Sequence, residues 1–261
     1  LEERGVGEPA VSLTHLLEGG REQLHGQTDV GLSRYVEEIL ASGFPALRSL
    51  SGRARRFQLD SCLRNPVDRD VPEQGLAVRR PDALMAWLRA YAAATSSTAG
   101  YSQILDAATP GQGDKPARST ADGYRRVLES LWILDPVLAW ELGGSQFTRL
   151  GRSPKRHLAD PALAACLLAL NETKLLGTGG GPVGPEGRAV LGSMFELLAT
   201  LCIRVAAQAA EADVGHLRTR DGDHEVDLVV IREDGDVLAI EVKAAGAADD
   251  GDAKHLQWLR R

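Results

Sequence analysis

Cysteine is scarce: the 261 residues carry three, Cys62, Cys166 and Cys202, far apart and without metal-ligand spacing. An odd, scattered set of thiols fits a reducing cytosol better than a disulfide framework. Cys166 and Cys202 lie in apolar runs and read as small buried hydrophobes. No stretch reads as long and apolar enough to span a bilayer, and no secretory signal is visible. A cytoplasmic protein with no membrane partner is therefore expected. Charge of one sign does not dominate either. A net charge of −6 argues against a dedicated nucleic-acid coat but leaves room for a local basic patch. The arginines from Arg48 through Arg53, Arg55, Arg56, Arg64 and Arg69 to Arg79 and Arg80 are its candidate, a solvated helical face being the equal alternative. A phosphate loop is also missing. The glycine-rich run 177–185 is followed by no Lys–Ser/Thr pair, and Pro182 and Pro185 remove donors that a phosphate cradle uses. This chain alone is not expected to bind or hydrolyse ATP.

What is present suits an ordinary globular protein of about two domains. The first residue is Leu1 rather than Met, which reads as a fragment, a processed product or an engineered piece. Residues 1–30, rich in Gly and Glu with short apolar clusters such as 13–17, read as loop and short helix. A helix is predicted over 33–41, stopped by Gly43 and Pro45. A shorter one is predicted over 57–63, broken before Pro66. Pro81 and Asp82 open a stronger helix whose apolar face is Leu84, Met85, Trp87, Leu88 and Tyr91. Residues 101–107 form another, and 109–116 are loop by composition. Ser119 or Thr120 then caps a helix through Leu131, with Tyr124, Val127 and Leu128 at helical spacing. Residues 132–140 are extended and broken by Pro136. Three helices followed by an extended segment make a coarse winged-helix pattern, and an ordinary helical bundle accounts for the periodicity equally well. Arg125 and Arg126, with Lys115 and Arg118 just before them, are candidate phosphate contacts, diluted by Asp114, Asp122 and Glu129.

Residues 161–170 read as a compact apolar helix and 190–210 as one long helix. The long one has a predicted buried stripe of Val190, Met194, Leu197, Leu198, Leu201 and Val205, with Glu196, Thr200 and Arg204 on the other side. Three strands are predicted at 215–220, 224–231 and 237–243, and a helix from about Ala253. Between the last two strands stand Glu233, Asp234 and Gly235. A three-residue hairpin loop with Gly235 in the left-handed position pairs Arg232 with Asp236, Ile231 with Val237, Val229 with Ala239, and Asp227 with Glu241. Glu225 and Lys243 come next on that face. A two-residue Asp234–Gly235 turn is the rival, and it sends the two carboxylates to opposite faces.

Two carboxylates held side by side repel unless a proton or a cation intervenes. Mg²⁺, which takes one or two carboxylates plus waters and phosphate oxygens, is the natural candidate. Such an ion activates water, and Lys243 supplies positive charge near the nucleophile or the developing oxyanion. That chemistry is metal-dependent phosphodiester hydrolysis. The bland alternative is an exposed hairpin end closed by a weak Glu225–Lys243 ion pair.

The segment 225–243 resembles the core of the PD-(D/E)XK nuclease superfamily. The wider chain, from about residue 30 to its end, resembles the domain of unknown function found C-terminal to bacterial and archaeal AAA-type ATPases. The matching stretches are SerGlyPhePro at 42–45, ArgHisLeuAlaAspProAlaLeuAla at 156–164, GlySerMetPheGluLeuLeu at 192–198, ArgThrArgAspGlyAspHisGluValAspLeuVal at 218–229 and IleGluValLys at 240–243. The resemblance implies an α + α/β architecture in three parts. Residues 1–80 would be a helical remnant of, or linker from, an ATPase region. A winged-helix-like helical domain over 81–150 and a restriction-endonuclease-like α/β domain over 151–261 would follow. It maps the superfamily's acids onto Asp227 and Glu241 as Mg²⁺ ligands, its lysine onto Lys243, and a helix-borne acid onto Glu196. Implied partners are nucleic acid and an ATPase region or another protein. The alternative role is a non-catalytic regulatory module on a nuclease-like scaffold. The resembled fold continues into a further strand where this sequence ends at Arg261, so an incomplete core is expected.

Overall fold

The computed structural model describes residues 6, 11–20, 29–75, 78, 80–109, 118–140, 153–177, 184–219, 222–247 and 249–260. Helices dominate up to residue 209, and a four-stranded mixed sheet in the order β1-β2-β3-β4 closes the fold. Its strands are β1 Leu138–Ala139, β2 Ala212–Arg218, β3 Glu225–Arg232 and β4 Val237–Ile240.

The helix Leu32–Ala41 buries Val36 and Ile39 as its spacing predicts. It also buries Glu38, whose charge is met by Arg48 at 2.7 Å and Arg34 at 3.1 Å. Pro45 opens a new turn, Pro45–Arg48, rather than only ending the old one. The helix predicted over 57–63 is longer, Gly52–Asn65. It is not broken at Pro66. A π turn, Pro66–Asp70, leads on into Val71–Glu73, because a widened turn tolerates the loss of the hydrogen bond that proline, lacking an N–H, cannot donate.

The helix Pro81–Ala93 buries all five residues of its predicted face. Those side chains share one core with Ile104 and Leu105 of Tyr101–Ala108, Leu128 of Arg118–Ser130 and Leu163 of Pro161–Leu167. That core extends from Val36 to Leu198, so it crosses positions 80 and 150, where the sequence was expected to divide. Residues 110–117, part of the predicted loop, and 178–183 of the glycine-rich run lie outside the described residues.

The long helix starts earlier than predicted and spans Gly184–Ala209. Met194, Leu197 and Leu198 are buried as expected, but Val205 is 39 % exposed and Thr200 only 2 %. The row Glu196, Thr200, Arg204 turns inward: its two charged members have partners on other segments, and Thr200 satisfies its hydroxyl on its own helix. Glu196 meets Lys155, Thr200 donates to the carbonyl of Glu196, and Arg204 pairs with Asp135 and donates to the carbonyl of Pro136. By length and composition this helix is apolar enough to cross a membrane, with a mean hydropathy of 1.7 over 18 residues. That corrects the reading that no such stretch exists.

The segment after Arg118–Ser130 is extended as predicted, but its partners lie in the C-terminal half of the chain. Leu138 and Ala139 pair in parallel with Gly215 and His216. Just before them, Leu134 and Val137 bridge antiparallel to Leu158 and Lys155. Gly215 permits the close approach of β1. A Cβ there would stand 3.0 Å from Cβ of Trp140 and 3.1 Å from the carbonyl oxygen of Leu138. Neither atom is the free end of a flexible chain. Gly215→Ala is therefore expected to push β1 off β2 at a cost of about 1–3 kcal/mol, readable as a lower midpoint in urea. An unchanged midpoint would show that the two strands are not tightly apposed.

Candidate functional site

The hairpin between β3 and β4 has the predicted three-residue loop. Gly235 adopts φ 95° and donates to the carbonyl of Arg232, whose own N–H donates to Asp236. Ile231 faces Val237 and Val229 faces Ala239, so the two-residue turn is excluded. The last ladder pair is Leu228 with Ile240, which makes Asp227 and Glu241 the next facing positions. The strand predicted to reach residue 243 ends there. In place of a ladder bond, the N–H of Val242 donates to Oδ2 of Asp227 at 2.9 Å. An Asp side chain competing for a neighbouring backbone donor ends pairing in this way.

Glu196 and Asp227 meet at Lys155, which the sequence reading had not singled out. Its Nζ donates to Glu196 Oε1 at 2.8 Å and Asp227 Oδ1 at 3.0 Å, and lies 3.5 Å from Glu225 Oε1. The Lys155 side chain is 1 % exposed. The extended segment that carries it is held from two sides. Lys155 exchanges backbone hydrogen bonds with Val137, and Arg156 exchanges them with Ser96 and Ser97. Asp160, at the end of this segment, accepts from the N–H groups of Ala162 and Gly43 and so caps Pro161–Leu167. The 156–164 stretch is thus a brace that delivers Lys155 to the end of β3. A lysine beside that stretch, one of only five in the chain, was the available signal, but nothing in the local pattern marks it as buried.

Glu241 adjoins this bridge through Asp227 and does not touch Lys155. Its side chain is 8 % exposed; Oε2 accepts from Lys243 Nζ at 3.2 Å, and buried Oε1 has no hydrogen-bond partner. Lys243 is 43 % exposed. The Glu225–Lys243 pair expected of a bland hairpin end is not what these residues make. Glu225 lies 3.5 Å from both Lys155 and Arg218, while Lys243 turns to Glu241.

Burial and the crowd of acids set the protonation states. Burial pushes the Glu241 carboxyl up to about 7, and the charge of Asp227 adds to it despite Lys243. Burial likewise raises Glu196 to about 7, with Asp227 and Glu225 adding to it against the pull of Lys155. Asp227 goes the other way. Burial disfavours its charge, but Lys155 and the N–H of Val242 outweigh that and hold it below the ordinary carboxylate range. Lys155 loses some basicity to burial and regains more from Glu196 and Asp227, so it stays charged. Behind it, His157 is held neutral by burial and by the charges of Lys155 and Arg204.

The donors that remain are hard oxygens. Among the described residues no group of three or more His, Cys, Asp or Glu side chains is arranged to hold a metal ion. Mg²⁺ needs fewer, since one or two carboxylates with waters suffice. The unpartnered buried Oε1 of Glu241, beside the charged Asp227, is the feature that fits such an ion.

Much of the charge on the basic stretches is met locally, while Arg53 and Arg56 are exposed. Arg48 binds Glu38, Arg55 donates to the carbonyls of Leu47, Arg48 and Leu50, Arg64 pairs with Asp60 and Arg69 with Glu73. Arg79 lies outside the described residues, as do Asp114 and Lys115. Arg125 pairs with Glu129 and lies over the Tyr101 ring, leaving Arg126 exposed. Cys62, Cys166 and Cys202 are all half-buried rather than enclosed.

No curated protein and no solved structure matches the chain. Residues 191–261, which hold most of the long helix and β2 to β4, match a domain of unknown function (DUF4143). Residues 32–174, more than half of the chain and including Lys155, match another domain of unknown function (DUF8612). By that match the chain belongs to the DUF8612 family.

Proposed function

We propose that this chain is a Mg²⁺-dependent phosphodiester hydrolase of the PD-(D/E)XK type, acting on nucleic acid. It would be the C-terminal module of a cytoplasmic AAA-type ATPase. The observation that carries the reading is that Asp227 and Glu241 face one another one step past the last ladder pair of the hairpin, with one buried Glu241 oxygen left unsatisfied. Asp227 and Glu241 would hold the ion, which when bound supplies Lewis acidity and an activated water. Lys243, the exposed cation of the group, is placed to bind the phosphate and offset its developing charge. Glu196 acts through Lys155 to orient Asp227. The three helices from Pro81 to Ser130 fit a winged-helix-like unit that contacts DNA or a partner protein, with Arg89, Arg118 and Arg126 as exposed cations.

The second reading, a non-catalytic module on a nuclease-like scaffold, is favoured by one feature. Lys155 already occupies the carboxylates from within. Calorimetric titration with Mn²⁺ separates the two without a guessed substrate. Wild type is expected to bind one ion and Asp227→Asn none; heat that is equal in both proteins would remove the metal site and the hydrolase with it.

A further inference from the structure

Lys155 is the centre of the acidic cluster, yet it is poorly placed to touch a substrate. An ammonium has three donors and no acceptor. Here two are spent on Glu196 and Asp227, and the third direction is bounded by Glu225. With 1 % of its side chain exposed, no face of it is open to an incoming phosphate. The exposed Lys243 fills that place instead.

A buried lysine among acids has a second consequence. Of the two carboxylates proposed to hold an ion, Asp227 has Oδ1 on Lys155 and Oδ2 on the N–H of Val242. Only Glu241 has an oxygen with no donor. A divalent ion that recruits Asp227 must therefore share, or take over, lone pairs that Lys155 now uses. Two cations drawn to the same oxygens also repel one another, and in a buried site that repulsion is poorly screened.

We propose that Lys155 is the resident cation of this carboxylate cluster and that divalent metal binds in competition with its ammonium. Lys155 is thus a positioning residue: it holds Glu196 and Asp227 together when no metal is bound, and it sets how tightly metal binds. The inference rests on the reading of Asp227 and Glu241 as metal donors. A second, independent support is structural. The backbone around Lys155 is anchored to Val137, Ser96 and Ser97, so the ammonium is delivered by a rigid segment and not by a chance surface rotamer.

The test is Mn²⁺ titration by calorimetry at pH 7.5 on the full chain. The proteins are wild type, Lys155→Met, and the double variant Lys155→Met with Glu196→Gln, which removes charge in a pair and protects folding. Removing a structural prop weakens a site, whereas removing a competitor tightens it, so the sign of the change decides. A dissociation constant at least about tenfold lower in a folded variant, lost again on adding Asp227→Asn, is expected. Wild-type binding with no tightening in either variant overturns the competition and leaves the metal donors standing. A silent wild type with binding variants upholds it and removes the hydrolase reading. No binding by any of the proteins removes both. In wild type itself, the Nζ protons of Lys155 are expected to lose protection from solvent exchange when MgCl₂ is added. Protection unchanged at saturating Mg²⁺ overturns the proposal even if neither variant folds.

Discussion

Glu241→Gln is expected to lower Mg²⁺-dependent cleavage of nucleic acid by roughly a hundredfold to a thousandfold while raising thermal stability at pH 8. The two effects have one origin. The Glu241 carboxyl is buried beside Asp227, and burial with that neighbouring charge lifts its pKa to about 7. Ionising it at pH 8 therefore costs the folded state free energy that a neutral amide does not. The sign follows from the raised pKa. Glu241 and Glu196 stand near 7 in the fold against an ordinary value of 4.5. The folded state then binds more protons than the unfolded one between those limits. Their contribution to stability is full below about 4.5 and is lost as the pH rises through about 7. Melting temperature should accordingly fall between pH 5 and 8 in wild type, and fall less in Glu241→Gln. Added Mg²⁺ at pH 8 should recover part of the loss in wild type alone. Glu241→Gln melting lower than wild type at pH 8 would instead make Glu241 a structural residue.

Removing the buried lysine has the opposite effect on stability. Lys155→Met is expected to cost about 3–5 kcal/mol, the range for breaking a buried ion pair by deleting one partner. The side chain fits, but Glu196 and Asp227 are left facing each other without the cation between them. Part of the loss should return in the double variant with Glu196→Gln, because the amide removes one of the unpaired charges. Denaturant unfolding of the four members of that cycle measures the coupling directly. Additive costs in the two single variants would mean that Lys155 and Glu196 do not act on one another.

The helical half was legible to different depths along the chain. All five predicted face residues of Pro81–Ala93 are buried, because a stripe spaced for one helix face needs only a core to meet. The Gly184–Ala209 helix was legible as a helix but not as a surface. It touches the helical core on one side and the sheet on another, so periodicity alone could not say that Thr200 turns in and Val205 out. Pro66 misled for a related reason: a proline reads as a break, and the neighbouring packing of Leu63, Val67 and Val71 carried the chain through it.

From residue patterns alone the hairpin could be placed but not its register: a three-residue loop ending in Gly235 and a two-residue Asp234–Gly235 turn both fit, and the observed backbone selects the first, which sets Asp227 against Glu241. Turn chemistry narrows the choice to neighbouring registers, and the packing of the strand faces makes it. What surrounds the two carboxylates was set by how distant segments pack. Lys155 stands 72 residues from Asp227 and 41 from Glu196, and an ion pair between such distant positions depends on how the chain closes, which no local pattern encodes.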